Sequence, residues 1–403
     1  MSFHVDIIMN NCLALLFAHE ESSSLYPLTS ERVSAAIPFA GKYRGIDFPL
    51  TNCLHSGIRN ILVFTHQKYY SLQKHLRDGW SVLNPELGEY ITVVPPQLTI
   101  SSELPISDYS LIEQQLYLLE RSETEYIILL NGAHIYRMDY SAMLDTHIKS
   151  DADITLACTN SYLAASNNQA VTINESNRIT ALETEVNKDG FISMDVMICN
   201  RIKLIEQLKQ HGQELAKTTS LTDAVVSLSL NELKIHAYNF CTVAGRVSQD
   251  NYWANFDSLD TYYQANMDLL NPTPSIDIYQ TDWYIRTYQQ QTPPARTVPD
   301  QYGNEGIFIN SILAGGTIIE GGSVQQSILF PNVFVGSEAF VENSIIFEKV
   351  RIEPGAKIKN CIIEKHNCIP RREVIGHNLE QDRKRFQVTD KGIVIVPPRY
   401  KFV

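Results

Sequence analysis

The side chains best suited to gathering an anion stand in two short basic clusters, Lys42, Arg44 and Arg59 in one and Arg383, Lys384 and Arg385 in the other. Guanidinium forks that converge hold phosphate or carboxylate bidentately, whereas forks that point apart make a solvated or salt-bridged face. Near the N-terminus the chemistry is reversed. The loop His19-Glu20-Glu21-Ser22-Ser23-Ser24 follows the apolar run Cys12 to Ala18. A strand-to-helix loop cradles phosphate when glycines let backbone N–H groups close around it. This loop has no glycine, arginine or lysine. A carboxylate about 4 Å from a phosphate charge costs roughly 4 kcal/mol at an effective dielectric of 20, so Glu20 and Glu21 repel the ligand that a glycine loop attracts.

These residues sit in a chain of 403 residues, long enough for two domains with sizeable cores. From about Cys12 to Ala244, short apolar runs alternate with helix-length amphipathic stretches, at 61–64, 110–119, 126–130, 140–148 and 154–158. That alternation predicts βαβ units and a mostly parallel sheet covered on both faces, an α/β, Rossmann-like domain over 1–270. Five prolines in the next segment, Pro272, Pro274, Pro293, Pro294 and Pro299, interrupt regular structure and mark 271–304 as a linker.

An internal repeat occupies 305–403. Leu329, Val335 and Val341 are spaced by six, as are Ile346, Ile352 and Ile358, and Ile363, Ile369 and Ile375; each triplet begins seventeen residues after the last. A shorter coil carries Leu313, Ile319 and Val324. One inward aliphatic per six residues, three per coil, predicts a left-handed parallel β-helix whose coils bury their apolar corners against one another. His366 and His377 fall in this repeat, where acyltransferases of similar coil architecture place a catalytic histidine, so a hexapeptide-repeat acyltransferase is one alternative reading.

The formal net charge of −12 disfavours a nucleic-acid surface, which needs clustered Lys and Arg. No apolar stretch approaches the ~20 residues of a membrane span, and the N-terminal run has no basic leader or cleavage site, so a cytoplasmic protein is expected. The seven cysteines are odd in number and show no C-x-x-C spacing, which predicts reduced, mostly buried thiols and no structural zinc site.

The stretch Pro38-Phe39-Ala40-Gly41-Lys42-Tyr43-Arg44-Gly45-Ile46-Asp47-Phe48-Pro49-Leu50-Thr51-Asn52-Cys53, continued by Ser56-Gly57-Ile58, resembles the P-F-G-G-K-Y-R-x-I-D-F-x-L-S-N-C-x-x-S-G-I motif of glucose-1-phosphate adenylyltransferases, the ADP-glucose pyrophosphorylases of glycogen and starch synthesis. Asp282-Trp283, Ile285-Arg286-Thr287-Tyr288 and Pro293-Pro294-Ala295 resemble the family's connector, and the tail from Asp382 to Pro397 resembles its C-terminus. The likeness runs from about Cys12 to Pro397. It implies a nucleotidyltransferase domain followed by a left-handed β-helix, and the transfer of an adenylyl group from ATP to glucose 1-phosphate with Mg²⁺.

The family's catalytic positions are altered one by one. Its glycine-rich loop G-G-x-G-x-R-L is replaced by the loop ending at Ser24. The lysine of K-P-A-V-P is Ser34, and the metal-binding aspartate of L-A-G-D-H-I-Y is Ala133. The second metal aspartate, in W-x-D-V-G-T, is Asn255, with Asp257 displaced by two residues. No Lys-Pro pair of F-x-E-K-P follows Arg178-Ile179, and Lys188 comes several residues late. Ser193-Met194 survives from S-M-G as a residual sugar-phosphate site, but Asp195 stands in place of the glycine. The nucleotide-contact segment G-T-A-D-A-V aligns with Ser107 to Ile112.

The resemblance therefore implies a non-catalytic, regulatory subunit that binds no cofactor itself, Mg²⁺ and ATP being used by a catalytic paralogue. The two would form a heterotetramer, with no nucleic-acid or membrane partner. In the family the motifs carrying Lys42, Arg44, Arg59, Arg383, Lys384 and Arg385 border a subunit interface where phosphorylated effectors bind, which makes these residues anion-site candidates. An active sugar-nucleotidyltransferase with an unusual site is the other alternative.

Overall fold

The computed structural model describes residues 9, 11–18, 23–96, 107–160, 169–183, 190–215, 220–241, 247 and 250–402. The loop residues His19 to Ser22, with Glu20 and Glu21, and the segment holding Lys188 lie outside the described residues.

Strand Cys12–Ala18 is buried along its whole length, as its unbroken apolar run requires. Its alternate side chains enter two cores: Cys12, Ala14, Leu16 and Ala18 pack on one face of the sheet, Leu13, Leu15 and Phe17 on the other. It pairs in parallel with Asn60–Thr65 on one side and Tyr126–Asn131 on the other, and Tyr90–Val94 extends the first side. Phe191–Asn200 runs antiparallel to Tyr126–Asn131, then to Ile154–Thr159, which takes Ile235–Asn239 in parallel. Ala170–Ile173 and Ile179–Glu183 complete the nine-stranded sheet as an antiparallel ribbon. The chain lays strands to one side of Cys12–Ala18 and then returns to the other, so a crevice opens at the carboxyl ends of Cys12–Ala18 and Tyr126–Asn131, where open α/β sheets bind ligands.

Helix Tyr140–Lys149 is capped by Asp139, whose carboxylate accepts from the Ser141 N–H at 3.0 Å. The amphipathic stretch at 110–119 is two helices, Asp108–Gln114 and Leu116–Arg121, because Gln115 leaves the helical region (φ −122°, ψ 19°).

The C-terminal repeat forms three sheets of parallel rungs, as in a left-handed β-helix. The nine inward aliphatics from Leu329 to Ile375 are fully buried and stack in register: Leu329 on Ile346 on Ile363, Val335 on Ile352 on Ile369, and Val341 on Ile358 on Ile375. Gln326, Asn343 and Asn360 turn one set of corners in the left-handed region (φ 44°, 46° and 50°), and Asn332, Lys349 and His366 another (φ 61°, 59° and 62°). His366 thus holds a corner. A hydroxyl ladder ties successive coils: the Ser344 N–H donates to Ser327 Oγ at 3.0 Å and the Cys361 N–H to Ser344 Oγ at 3.1 Å. Strand Arg296–Val298 pairs with Ile318–Glu320, so the first rung begins inside the segment 271–304 assigned to the linker.

The two domains share a core in which Ile328, Phe330, Ile345, Phe347 and Ile362 of the β-helix pack with Ile37, Phe39, Phe48 and Tyr262. Across this interface Arg32 donates to both carboxylate oxygens of Glu364, at 2.9 and 3.0 Å, with 5% and 0% of the side chains exposed. Among the described residues no helix is long and apolar enough to cross a membrane. Cys12, Cys53, Cys158, Cys199 and Cys361 are buried and form no disulfide, and burial pushes the Cys12 thiol up to about 12.

Candidate functional site

At the end of strand Tyr126–Asn131 the chain turns sharply through Gly132. A Cβ there would lie 2.9 Å from both Leu16 Cδ2 and the Phe17 carbonyl, so only glycine permits the close approach to the central strand. The Gly132 N–H donates to the Phe17 carbonyl at 2.8 Å. Ala133 follows, buried, its N–H donating to Asn131 Oδ1 at 2.9 Å. Strand His134–Tyr136 then pairs antiparallel with Trp253–Asn255, setting Asn255 opposite His134. Asn255, distant in sequence, is thereby set opposite the residue that follows Ala133. Ser34 opens a short 3₁₀ turn, Ser34–Ala36, whose Ala35 borders Gly132 and Gly45. The hydroxyl of Ser24, at the far end of the degenerate loop, donates to the Asp257 carbonyl. The altered positions are thus gathered at one place.

The donor set there does not fit Mg²⁺, which needs hard oxygen ligands. Ala133 offers a methyl group and Asn255 an uncharged amide. Asp257 Oδ1 accepts from Thr261 Oγ1 at 2.8 Å, within the cap of helix Leu259–Asp268. Among the described residues no three His, Cys, Asp or Glu side chains are grouped as a metal requires. Sequence reasoning missed the part taken by Asp195, although its place in the S-M-G motif was the signal. Asp195 Oδ2 accepts from Asn131 Nδ2 at 3.1 Å and Oδ1 from Ser220 Oγ at 3.0 Å. The buried hydroxyl of Ser193 accepts from the Asp195 N–H at 3.2 Å.

The six basic candidates have different surroundings. Lys42 is exposed, its Nζ 5.7 Å from the centre of the Tyr43 ring. Arg44 Nη1 donates to the Ser71 carbonyl at 3.1 Å and to Ser71 Oγ at 2.9 Å; burial, with Arg32 nearby, lowers its pKa to about 10. Arg59 Nη1 donates to the Leu54 carbonyl at 2.7 Å, and its Nε lies 3.8 Å from Glu89. Arg383 and Lys384 are exposed, while Arg385 pairs with Glu373 at 2.9 Å and stacks on Phe386. Arg44, Arg59 and Arg385 are each engaged by a different partner within the chain. The buried cation next to Arg44 is Arg32, which the spacing of the clusters did not single out.

The nucleotidyl transferase family model matches residues 14–271, and that of the GlmU-like C-terminal hexapeptide matches 293–396. The chain is 44% identical over 404 residues to glucose-1-phosphate adenylyltransferase 2 of Vibrio cholerae, covering 98% of this chain and 99% of that protein. It is 45% identical to the protein of that name in Vibrio vulnificus strain CMCP6, covering 98% and 100%. To glucose-1-phosphate adenylyltransferase of Methylococcus capsulatus it is 35% identical, covering 98% and 95%. The two-domain fold, the surviving motifs around the crevice and this end-to-end similarity agree that the chain belongs to the glucose-1-phosphate adenylyltransferase family.

Proposed function

We propose that this chain is a regulatory subunit of an ADP-glucose pyrophosphorylase in the cytoplasm, catalytically silent itself and modulating a catalytic paralogue within a hetero-oligomer. One observation carries the reading: at the two positions where the family motifs call for metal carboxylates stand Ala133, a methyl, and Asn255, an amide paired opposite His134, the residue next to Ala133. Adenylyl transfer depends on neutralising the triphosphate with metal and cations, and this crevice instead holds the carboxylate of Asp195.

The purified chain given ATP, Mg²⁺ and glucose 1-phosphate should make no ADP-glucose. Mixed with its catalytic paralogue, it should co-elute as one species on size exclusion and shift the paralogue's effector titration several-fold, the scale of a coupling energy of ~1–3 kcal/mol. Two separate peaks with superimposable titrations refute the regulatory role. The relatives' shared name, glucose-1-phosphate adenylyltransferase, favours a second reading as an active enzyme with a non-standard site. Turnover of the isolated chain at ordinary enzyme rates of ~1–10³ per second would establish that reading instead.

A further inference from the structure

Strand Phe191–Asn200 does not run evenly past its neighbour. Ile192 and Ser193 pair with Thr159 and Cys158, then the register shifts before Met197 pairs with Leu156. The irregularity is a bulge, and Asp195 sits in it with a left-handed backbone (φ 55°) that a residue with a Cβ adopts at a cost. Its side chain is thereby turned toward the carboxyl end of Tyr126–Asn131, the edge of the crevice. There it accepts from Asn131 on one wall and from Ser220, at the start of helix Leu221–Ser229, on the other. The chain continues the connection inward, because Asn131 Oδ1 in turn accepts from the N–H of Ala133. Ser193 Oγ secures the bulge by accepting from the Asp195 N–H. A strained backbone position held by three hydrogen bonds is over-determined, and such strain gathers at ligand sites.

We propose that Asp195 is a built-in stopper: its carboxylate bridges the two walls of the crevice, fills it with negative charge and excludes sugar phosphates. This deepens the reading of a silent subunit and rests on it. A dianionic phosphate entering here meets a fixed carboxylate, and a hexose hydroxyl finds the Ser220 O–H and one N–H of Asn131 Nδ2 already donating to it. Two consequences separate the charge from the bridge. Asp195→Gly removes both and relieves the left-handed backbone; Asp195→Asn keeps the shape and one acceptor while removing the charge.

Titration calorimetry of the full chain with glucose 1-phosphate, and separately with ADP-glucose, tests the stopper, each variant first being checked for parental circular dichroism. The parent should give no saturable heat at millimolar ligand. Asp195→Gly should bind glucose 1-phosphate saturably and at least ~10-fold more tightly than any residual binding of the parent, and Asp195→Asn should fall between them. Saturable micromolar binding by the parent overturns the proposal, as does Asp195→Gly binding no better than the parent. Should Asp195→Gly fail to fold, Asp195→Asn alone decides, since unchanged binding in that isosteric variant leaves the charge without a role. Adenylyl transfer is expected from none of them, because Ala133 and Asn255 remain. Turnover in the parent would remove the silent-subunit reading, whereas absent binding in Asp195→Gly removes only the stopper.

Discussion

Replacing Arg32 by methionine should loosen the β-helix from the nucleotidyltransferase domain, by an amount that the geometry fixes within limits. The Arg32 guanidinium makes two charge-assisted hydrogen bonds to Glu364, both side chains are buried, and the Phe347 ring lies 5.8 Å from the guanidinium carbon. Removing the cation leaves a fully buried carboxylate with the Lys365 N–H, at 3.0 Å, to stabilise its charge. Stranding one partner of a buried pair typically costs about 3–5 kcal/mol, whereas replacing both by apolar residues of similar size is close to neutral. Arg32→Met and Glu364→Leu should therefore each be strongly destabilising, and the double variant should lie within about 1 kcal/mol of the parent. Urea unfolding followed by two signals reads the effect by domain. All three tryptophans, Trp80, Trp253 and Trp283, precede the β-helix, so their fluorescence reports the first domain while far-UV circular dichroism reports both. The single variants should split a shared transition into two, as uncoupled domains do. A cost below about 1 kcal/mol for Arg32→Met, the worth of a solvated surface pair, would refute the reasoning. So would a double variant whose loss equals the sum of the singles.

Two further outcomes are expected. Ala133→Asp alone should not produce adenylyl transfer, and neither should Ala133→Asp with Asn255→Asp, because groups that act as a unit are strongly non-additive and the phosphate loop and Ser34 stay unchanged; robust ADP-glucose synthesis by either, in a coupled pyrophosphate assay, would show that the rest of the site is intact. Burial lowers His147 from the usual 6.5 to about 4, so the unfolded chain binds the extra proton first and stability falls as pH drops through that window, by up to about 3 kcal/mol. His147→Gln should flatten that part of the stability profile in urea titrations at successive pH values, and an unchanged slope would exclude His147 as its source. Asp250 acts in the opposite sense: burial raises it to about 6, so its contribution weakens as pH rises from about 4 to 6, which is why the variant's difference profile, rather than the parent's own, isolates His147.

Local repetition and local chemistry were legible from the sequence. The six-residue spacing of Leu329 through Ile375 is a property of neighbouring residues, each coil repeating the last, so counting placed all nine side chains in the core of the β-helix. The apolar runs at 12–18 and 126–130 likewise marked buried parallel strands, because a strand covered on both faces leaves no room for polar alternation. The identities of Ala133 and Asn255 were as plain in the sequence as in the structure, since a methyl group lacks a metal ligand in any fold.

What joins distant segments was decided only in three dimensions. The likeness to the family marked six basic residues as anion-site candidates; within the chain Arg44 reaches Ser71, Arg59 reaches Leu54 and Arg385 reaches Glu373, partners that residue spacing does not indicate. The bond between Arg32 and Glu364 unites two domains through residues that no periodicity relates, and the bulge that turns Asp195 toward Asn131 depends on a register shift against another strand. Periodicity and residue type act along the chain, whereas register, burial and the pairing of charges depend on what the fold places across from them; the sequence by itself thus determined this protein's elements and its missing ligands, and tertiary packing decided what fills the crevice in their place.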